Sequence, residues 1–242
     1  MRSTRFDHIA IALPRITDAA EILVGVLGGT PLFGLRRHGF SFFQWRFAGG
    51  GRIEVLEPRG GDGFVHRFLA ARGPGIHHVT FTVPDLRAAC ARAEAAGYAI
   101  VGYEDSTPHW AEAFLHPKQA GGIVVQLARS SGEEMPLRWA PPSPPDPPPP
   151  VTLLGLRLSL RSREHAHRQW RAVLGGECVD DKDETLTYRW PGSPLRIVVD
   201  VDPAGAEGPS SLEIAGEGKV TLTPDQSARL GVVFREVSAT SS

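Results

Sequence analysis

At 242 residues, with 41% hydrophobic and 22% charged side chains, the chain is long enough to bury a sizeable core in one large or two ordinary domains. A net charge of -1 and a pI near 6.8 argue against nucleic acid or a membrane surface as partner, since either would call for a basic face. Neither an apolar signal core nor a run of about 18 apolar residues occurs, and Cys90 and Cys178 have no CxxC spacing. The chain therefore reads as cytoplasmic with reduced thiols.

Residues 6–13 alternate with the period of a half-buried strand. Thr17 or Asp18 is placed to cap a helix over 18–27, with Ala19, Ile22, Leu23 and Val26 on its apolar face and Gly28-Gly29 as its stop. Strands follow at 31–37, 40–47 and 51–57, with turn signals at His38-Gly39 and Ala48-Gly49-Gly50-Gly51. The unit reads β-α-β-β-β, and a short helix over 64–71 leads out of it.

Gly75-Ile76-His77-His78-Val79-Thr80-Phe81-Thr82-Val83-Pro84 then repeats the opening Arg5-Phe6-Asp7-His8-Ile9-Ala10-Ile11-Ala12-Leu13-Pro14. Histidine, alternating apolar run and closing proline all return. Asp85 caps a helix over 86–96 that Gly97 ends, and strands at 98–104, 111–116 and 122–128 complete a second β-α-β-β-β unit.

From residue 136 to 150 nine of fifteen residues are proline, which favours extended polyproline II and reads as a semi-rigid spacer. Beyond it Leu154-Gly155-Leu156-Arg157-Leu158 opens a third unit. A helix over 163–174 precedes strands near 177–180, 184–190 and 195–201. Val173-Leu174-Gly175-Gly176 repeats the Val26-Leu27-Gly28-Gly29 stop. A fourth unit starts at 212–215, where Glu213 falls near the histidine position, and is truncated to a short helix after Thr223-Pro224-Asp225 and a strand at 231–237. Gly155 stands where His8 would be, and Val198 or Val199 where Glu54 would be.

The expected organisation is α+β: a domain over 1–130 built of paired βαβββ modules, a Pro-rich linker over 131–150, and a degenerate pair over 151–242. The last part reads as structural, covering the cavity mouth, docking on the first pair or mediating a homodimer. Glu54, inside Ile53-Glu54-Val55-Leu56, has no cheap reason to face a sheet interior unless paired; the alternative is the solvent face of a half-exposed strand. His77, one residue before His78, points to the opposite face. Phe43, Trp45, Tyr103 and Trp110 read as cavity lining or as plain core.

Paired modules that open on Asp7-His8-Ile9-Ala10 and Gly75-Ile76-His77-His78 resemble the vicinal oxygen chelate superfamily, of glyoxalase, bleomycin-resistance and dioxygenase type. The likeness includes Ile53-Glu54-Val55-Leu56-Glu57-Pro58, Leu115-His116-Pro117-Lys118 and the run from Gly121 to Leu127. It is nearest to the branch of methylmalonyl-CoA epimerase and glyoxalase I. The resemblance implies a U-shaped mixed sheet around one divalent metal (Zn, Co, Ni, Fe or Mn), held by His8, Glu54, His78 and Gln126. It implies a lyase or isomerase that stabilises an enolate of a small substrate with vicinal oxygens, with Glu54 doubling as proton acceptor. That branch carries a carboxamide second and a Glu fourth, so the pair is exchanged here, and residues 32–38 contain no carboxylate for a second base. Extradiol dioxygenase chemistry on two His and one carboxylate, or small-molecule binding of the bleomycin-resistance type, are the alternatives.

Overall fold

The structure, a computed structural model, describes residues 3–133, 136–216, 220 and 222–238. The first module comprises β1 (Arg5–Ala12), α1 (Thr17–Leu23), β2 (Thr30–Arg36), β3 (Phe40–Arg46) and β4 (Arg52–Pro58), followed by α2 (Phe64–Arg72). The second comprises β5 (Gly75–Thr82), α3 (Leu86–Ala95), β6 (Ile100–Glu104), β7 (Trp110–Leu115) and β8 (Val124–Ser130). The third runs β9 (Thr152–Leu160), α4 (Arg163–Ala166), β10 (Glu177–Lys182), β11 (Thr185–Arg189) and β12 (Arg196–Val201). The fourth is reduced to β13 (Gly208–Ala215), α5 (Pro224–Leu230) and β14 (Phe234–Glu236). This is the mixed α+β architecture that the repeated modules imply.

Two mixed sheets result, in the orders β2-β3-β4-β1-β5-β8-β7-β6 and β10-β11-β12-β9-β13-β14. In each complete module the opening strand lies parallel to the closing one: Ala10 opposite Glu54, Thr80 opposite Gln126, Arg157 opposite Val198. A helical crossover makes that parallel pairing possible. The intervening strands join by antiparallel hairpins. The chain forms two compact units, one of Met1–His8, His78–Glu134 and Gly155–Ser210, the other of Ile9–His77, Met135–Leu154 and Ser211–Ser242. Among the described residues no helix is long and apolar enough to cross a membrane.

Several local details depart from the sequence expectations. The first helix ends at Leu23 rather than 27, although turns carry the chain on to Gly28, whose φ is +69°. Neither Thr17 nor Asp18 caps it. Glu57, at the end of β4, accepts the Ile16 N–H at 2.8 Å and satisfies the helix N-terminus from a distance. By contrast Asp85 caps α3 as expected, its Oδ1 accepting the Ala88 N–H at 3.0 Å. The helix of the third module is α only over its first turn, α4, and continues as a π-helix, His167–Val173.

Residues 136–150 form no helix or strand and lie on the first module. The Trp139 ring sits 5.0 Å from Phe43, and the Val151 N–H donates to the Leu27 carbonyl at 3.0 Å. A Cβ on Gly28 would collide with the backbone of Pro148 and Pro149, so the glycine serves both the turn and this close approach.

Candidate metal centre

β1 is buried along nearly its whole length, and its alternation turns His8, 2% exposed, to the interior. The neighbouring Asp7 places Oδ2 at 2.8 Å from His8 Nδ1. A carboxylate accepts only, so Nδ1 carries the proton, and the ring is oriented in the way that second-shell carboxylates orient metal-ligating imidazoles. Nε2 faces the Thr80 hydroxyl at 3.0 Å. Thr80 donates in turn to Gln126 Oε1 at 2.5 Å. The His78 ring, also buried, stands edge-on to that of His8 with centroids 5.9 Å apart.

The orientation of Gln126 is fixed from its other end. Its Nε2–H donates to Glu112 Oε2 at 2.7 Å, and the Trp110 indole N–H donates to the same oxygen at 2.6 Å. Glu112 and Gln126 meet diagonally across β7 and β8, two pairs removed from direct opposition, because Glu112 pairs with Ala128 and Phe114 with Gln126. A carboxylate that accepts the amide nitrogen leaves the amide oxygen to face Thr80.

In the first module Glu54 and Gln44 are direct cross-strand partners on β4 and β3. Gln44 Nε2–H donates to Glu54 Oε2 at 2.8 Å, and both side chains are buried. Glu54 therefore lies inside the sheet and hydrogen-bonded, which decides between the two placements open from sequence. Carboxylate and amide thus face one another in both modules, with the roles exchanged: Glu54 supported by Gln44, Gln126 by Glu112.

His8, His78, Thr80 and Gln126 belong to one compact unit, and Glu54 to the other. Gln126 reaches His8 through Thr80. Two of the atoms a metal would take, His8 Nε2 and Gln126 Oε1, already converge on one hydroxyl. Two imidazoles, a carboxylate and an amide oxygen fit a borderline or hard divalent cation. Thr80, Gln44 and Glu112 were not singled out from sequence; the available signal was the period of 2 that puts Trp110, Glu112 and Phe114 on the face of Gln126.

The remaining histidines and aromatics separate from this group. His77 packs on Phe64 and Phe68 of α2, with centroids 5.4 and 4.8 Å away. Burial, reinforced by the charge of Arg72, lowers its pKa to about 4, so it stays neutral. His116 accepts the Lys118 N–H at 3.2 Å within a turn. Phe43 and Trp45 are fully buried core, whereas Tyr103 is exposed and donates to Asp105 at 2.9 Å. His38 is exposed.

Among the described residues the later modules hold no counterpart. Gly155 pairs with Arg196 where His8 would be, and at its φ of +148° an added Cβ would strike the Arg196 backbone. Val198 stands in the place of Glu54. Counted from the opening glycines of β5 and β13, Ser211 takes the position of His78 and Glu213 that of Thr80, two residues beyond where sequence had put it.

Comparison with known proteins agrees with this fold. A family model described as the glyoxalase/bleomycin resistance protein/dioxygenase superfamily matches residues 7–114. The uncharacterized protein YqjC of Bacillus subtilis (strain 168) is 31% identical over 139 residues, covering 54% of this chain and 95% of that protein. The mitochondrial methylmalonyl-CoA epimerase of Mus musculus is 30% identical over 133 residues, covering 52% of this chain and 73% of its own length. Among solved structures, a mutant 4-hydroxymandelate synthase from Streptomyces coelicolor superposes over 96% of this chain and 75% of its own. Its TM-score is 0.62 at 17% identity, a likeness of fold alone.

Proposed function

The chain belongs to the glyoxalase/bleomycin resistance protein/dioxygenase superfamily, and on that premise we propose that it is a divalent-metal-dependent lyase or isomerase. Its substrate is a small molecule with two vicinal oxygens, from which a carbon-bound proton is moved. His8, Glu54, His78 and Gln126 hold the metal, and the site is confined to residues 1–130, ahead of the Pro-rich stretch over 131–150 and the degenerate modules over 151–242. The observation that carries the reading is the convergence of His8 Nε2 and Gln126 Oε1 on the Thr80 hydroxyl, beside a second buried imidazole.

When bound, the metal supplies Lewis acidity, which lowers the cost of the negative charge left on the substrate as the proton departs. The chain supplies the rest. Asp7 holds His8 in the ligating tautomer, and burial excludes water. Gln44 holds one oxygen of Glu54 and so orients the carboxylate proposed as ligand and proton acceptor. The curated relatives named for methylmalonyl-CoA add a second class to test: acyl thioesters whose acidic C–H lies between two carbonyl groups, with 1,3-related rather than vicinal oxygens.

Elemental analysis of protein purified without chelator tests the first step. Metal content should fall by one equivalent per chain between the wild type and the His8→Ala/His78→Ala double variant. Incubation with methylmalonyl-CoA in deuterated water tests the second, with metal-dependent exchange at the α-carbon as the expected result. Absence of metal from the wild type, or equal metal in both proteins, would sink the reading.

A further inference from the structure

The third module has lost the strand-opening histidine, yet it gathers a nitrogen, a sulfur and an oxygen of its own. His167, Cys178 and Asp181 each offer a ligand atom, and these atoms lie within 4.8 Å of one another. We propose that they form a second metal site, for a divalent transition ion of the zinc type.

Two departures from regular secondary structure produce this cluster. His167 opens the π-helical stretch, a geometry that concentrates at functional sites. β10 meanwhile carries a bulge: Cys178 pairs with Tyr188 but Asp180 with Thr187, leaving Val179 extra. Plain alternation would send residues 178 and 181 to opposite faces of the strand. The additional residue returns them to the same face, and re-aiming a side chain is a recognised use of a bulge.

The spacing suits a metal better than it suits a hydrogen bond. His167 Nε2 and Asp181 Oδ2 are 3.4 Å apart, beyond the roughly 2.7–2.9 Å of a charge-assisted hydrogen bond. It is near the separation of two ligand atoms each about 2.0–2.1 Å from a tetrahedral zinc. Both side chains are held from behind. The Tyr188 hydroxyl lies 3.0 Å from His167 Nδ1, and Arg163 pairs with Asp181 Oδ1, so Oδ2 is the oxygen turned to the imidazole. The site is also reachable, the side chains of His167 and Asp181 being 29% and 47% exposed.

One thiolate, one imidazole and one carboxylate select zinc or cobalt over magnesium or calcium. Three protein donors leave a fourth position for water or a small molecule. On binding, the Cys178 S–H bond breaks, sulfur keeps the electron pair as ligand, and the proton leaves to solvent. No residue is shared with the centre at His8 and His78, so either site can fail without the other.

Titration of the full chain with Co2+ tests the proposal, because a cobalt–thiolate bond adds a charge-transfer band in the near ultraviolet. The His8 and His78 centre contains no thiol and contributes none. The band should saturate by two equivalents in the wild type and in Cys90→Ser, by one in the His8→Ala/His78→Ala background where the silent centre takes up none, and vanish in Cys178→Ser. Tyr188→Phe should weaken cobalt affinity by about 10-fold through the loss of an outer partner. His167→Ala and Asp181→Asn, on the more exposed side of the site, should weaken it further and decide the matter if Cys178→Ser does not fold. No band in the wild type with cobalt in excess, a band that survives Cys178→Ser, or unchanged affinity in His167→Ala and Asp181→Asn would overturn it.

Discussion

Glu112 does for Gln126 what a ligand carboxylate does not need done. A carboxylate presents oxygen whichever way it turns, whereas an amide presents oxygen one way and nitrogen the other. Exchanging Glu and Gln between the closing strands therefore creates a demand for an acceptor on the nitrogen side, and Glu112 Oε2 meets it at 2.7 Å. Thr80 meets the complementary demand with a donor on the oxygen side. Glu112→Leu removes the acceptor and lets the amide turn, so metal affinity should fall by about 10–100-fold, the usual effect of losing an outer-shell partner. Competition against a chelator of known affinity measures it, with Thr80→Val as the matching change at the other end. An affinity left intact in Glu112→Leu would show that Gln126 is oriented by something else. The proposed ligands stood out in the sequence because two histidines recur at equivalent positions. Their supports did not, since a Glu one strand away carries no local mark of the amide it will meet.

At the scale of the element, strands and hairpins follow from alternation and glycine turns, and the helix of the second module from its Asp85 cap and the glycine that follows it. The exceptions have physical reasons. Residues 163–174 have ordinary helical periodicity, and nothing in the string distinguishes a π-helix from an α-helix. The bulge at Val179 is equally silent, being a matter of pairing with β11 rather than of residue type. Gly155 carries more information than its composition suggests. At the register of His8 it sits against the Arg196 backbone at a positive φ, so the third module cannot recover a histidine there without moving β12. Gly155→Ala should thus destabilise the protein by about 2 kcal/mol or more, combining left-handed strain with a steric clash. Denaturant unfolding of that variant against Gly192→Ala, where the added methyl meets open space, separates the clash from the strain. Equal losses in the two variants would remove the steric explanation.

At the scale of the molecule, the strands that carry the site are packed by residues from far along the chain. Phe6, two residues before His8, stacks on Phe81 at 4.7 Å, and the ring of Trp190 lies 4.7 Å from Phe81. Trp170, at 6.2 Å from Phe81, is fully buried beside them. Polar contacts repeat the pattern: the Ser193 hydroxyl donates to the Phe6 carbonyl at 2.6 Å, and Gln169 Nε2–H to the Ala120 carbonyl at 3.3 Å. Residues 155–210 therefore belong to the unit that contains His8, His78 and Gln126. Exposing Phe6, Phe81 and their buried neighbours would cost about 1.5–3 kcal/mol per side chain, against a total stability of roughly 5–15 kcal/mol for a typical domain. A fragment ending at residue 130 should accordingly lose its cooperative thermal transition and its metal together, although it contains every proposed ligand. In the intact chain, Trp170→Ala should lower stability by about 3–5 kcal/mol while leaving the ligands in place. Circular dichroism melts and metal analysis of both proteins provide the check. A fragment that melts cooperatively at the temperature of the full chain would show that the first two modules stand alone, and that the aromatic contacts through Phe6 and Phe81 add nothing to the site.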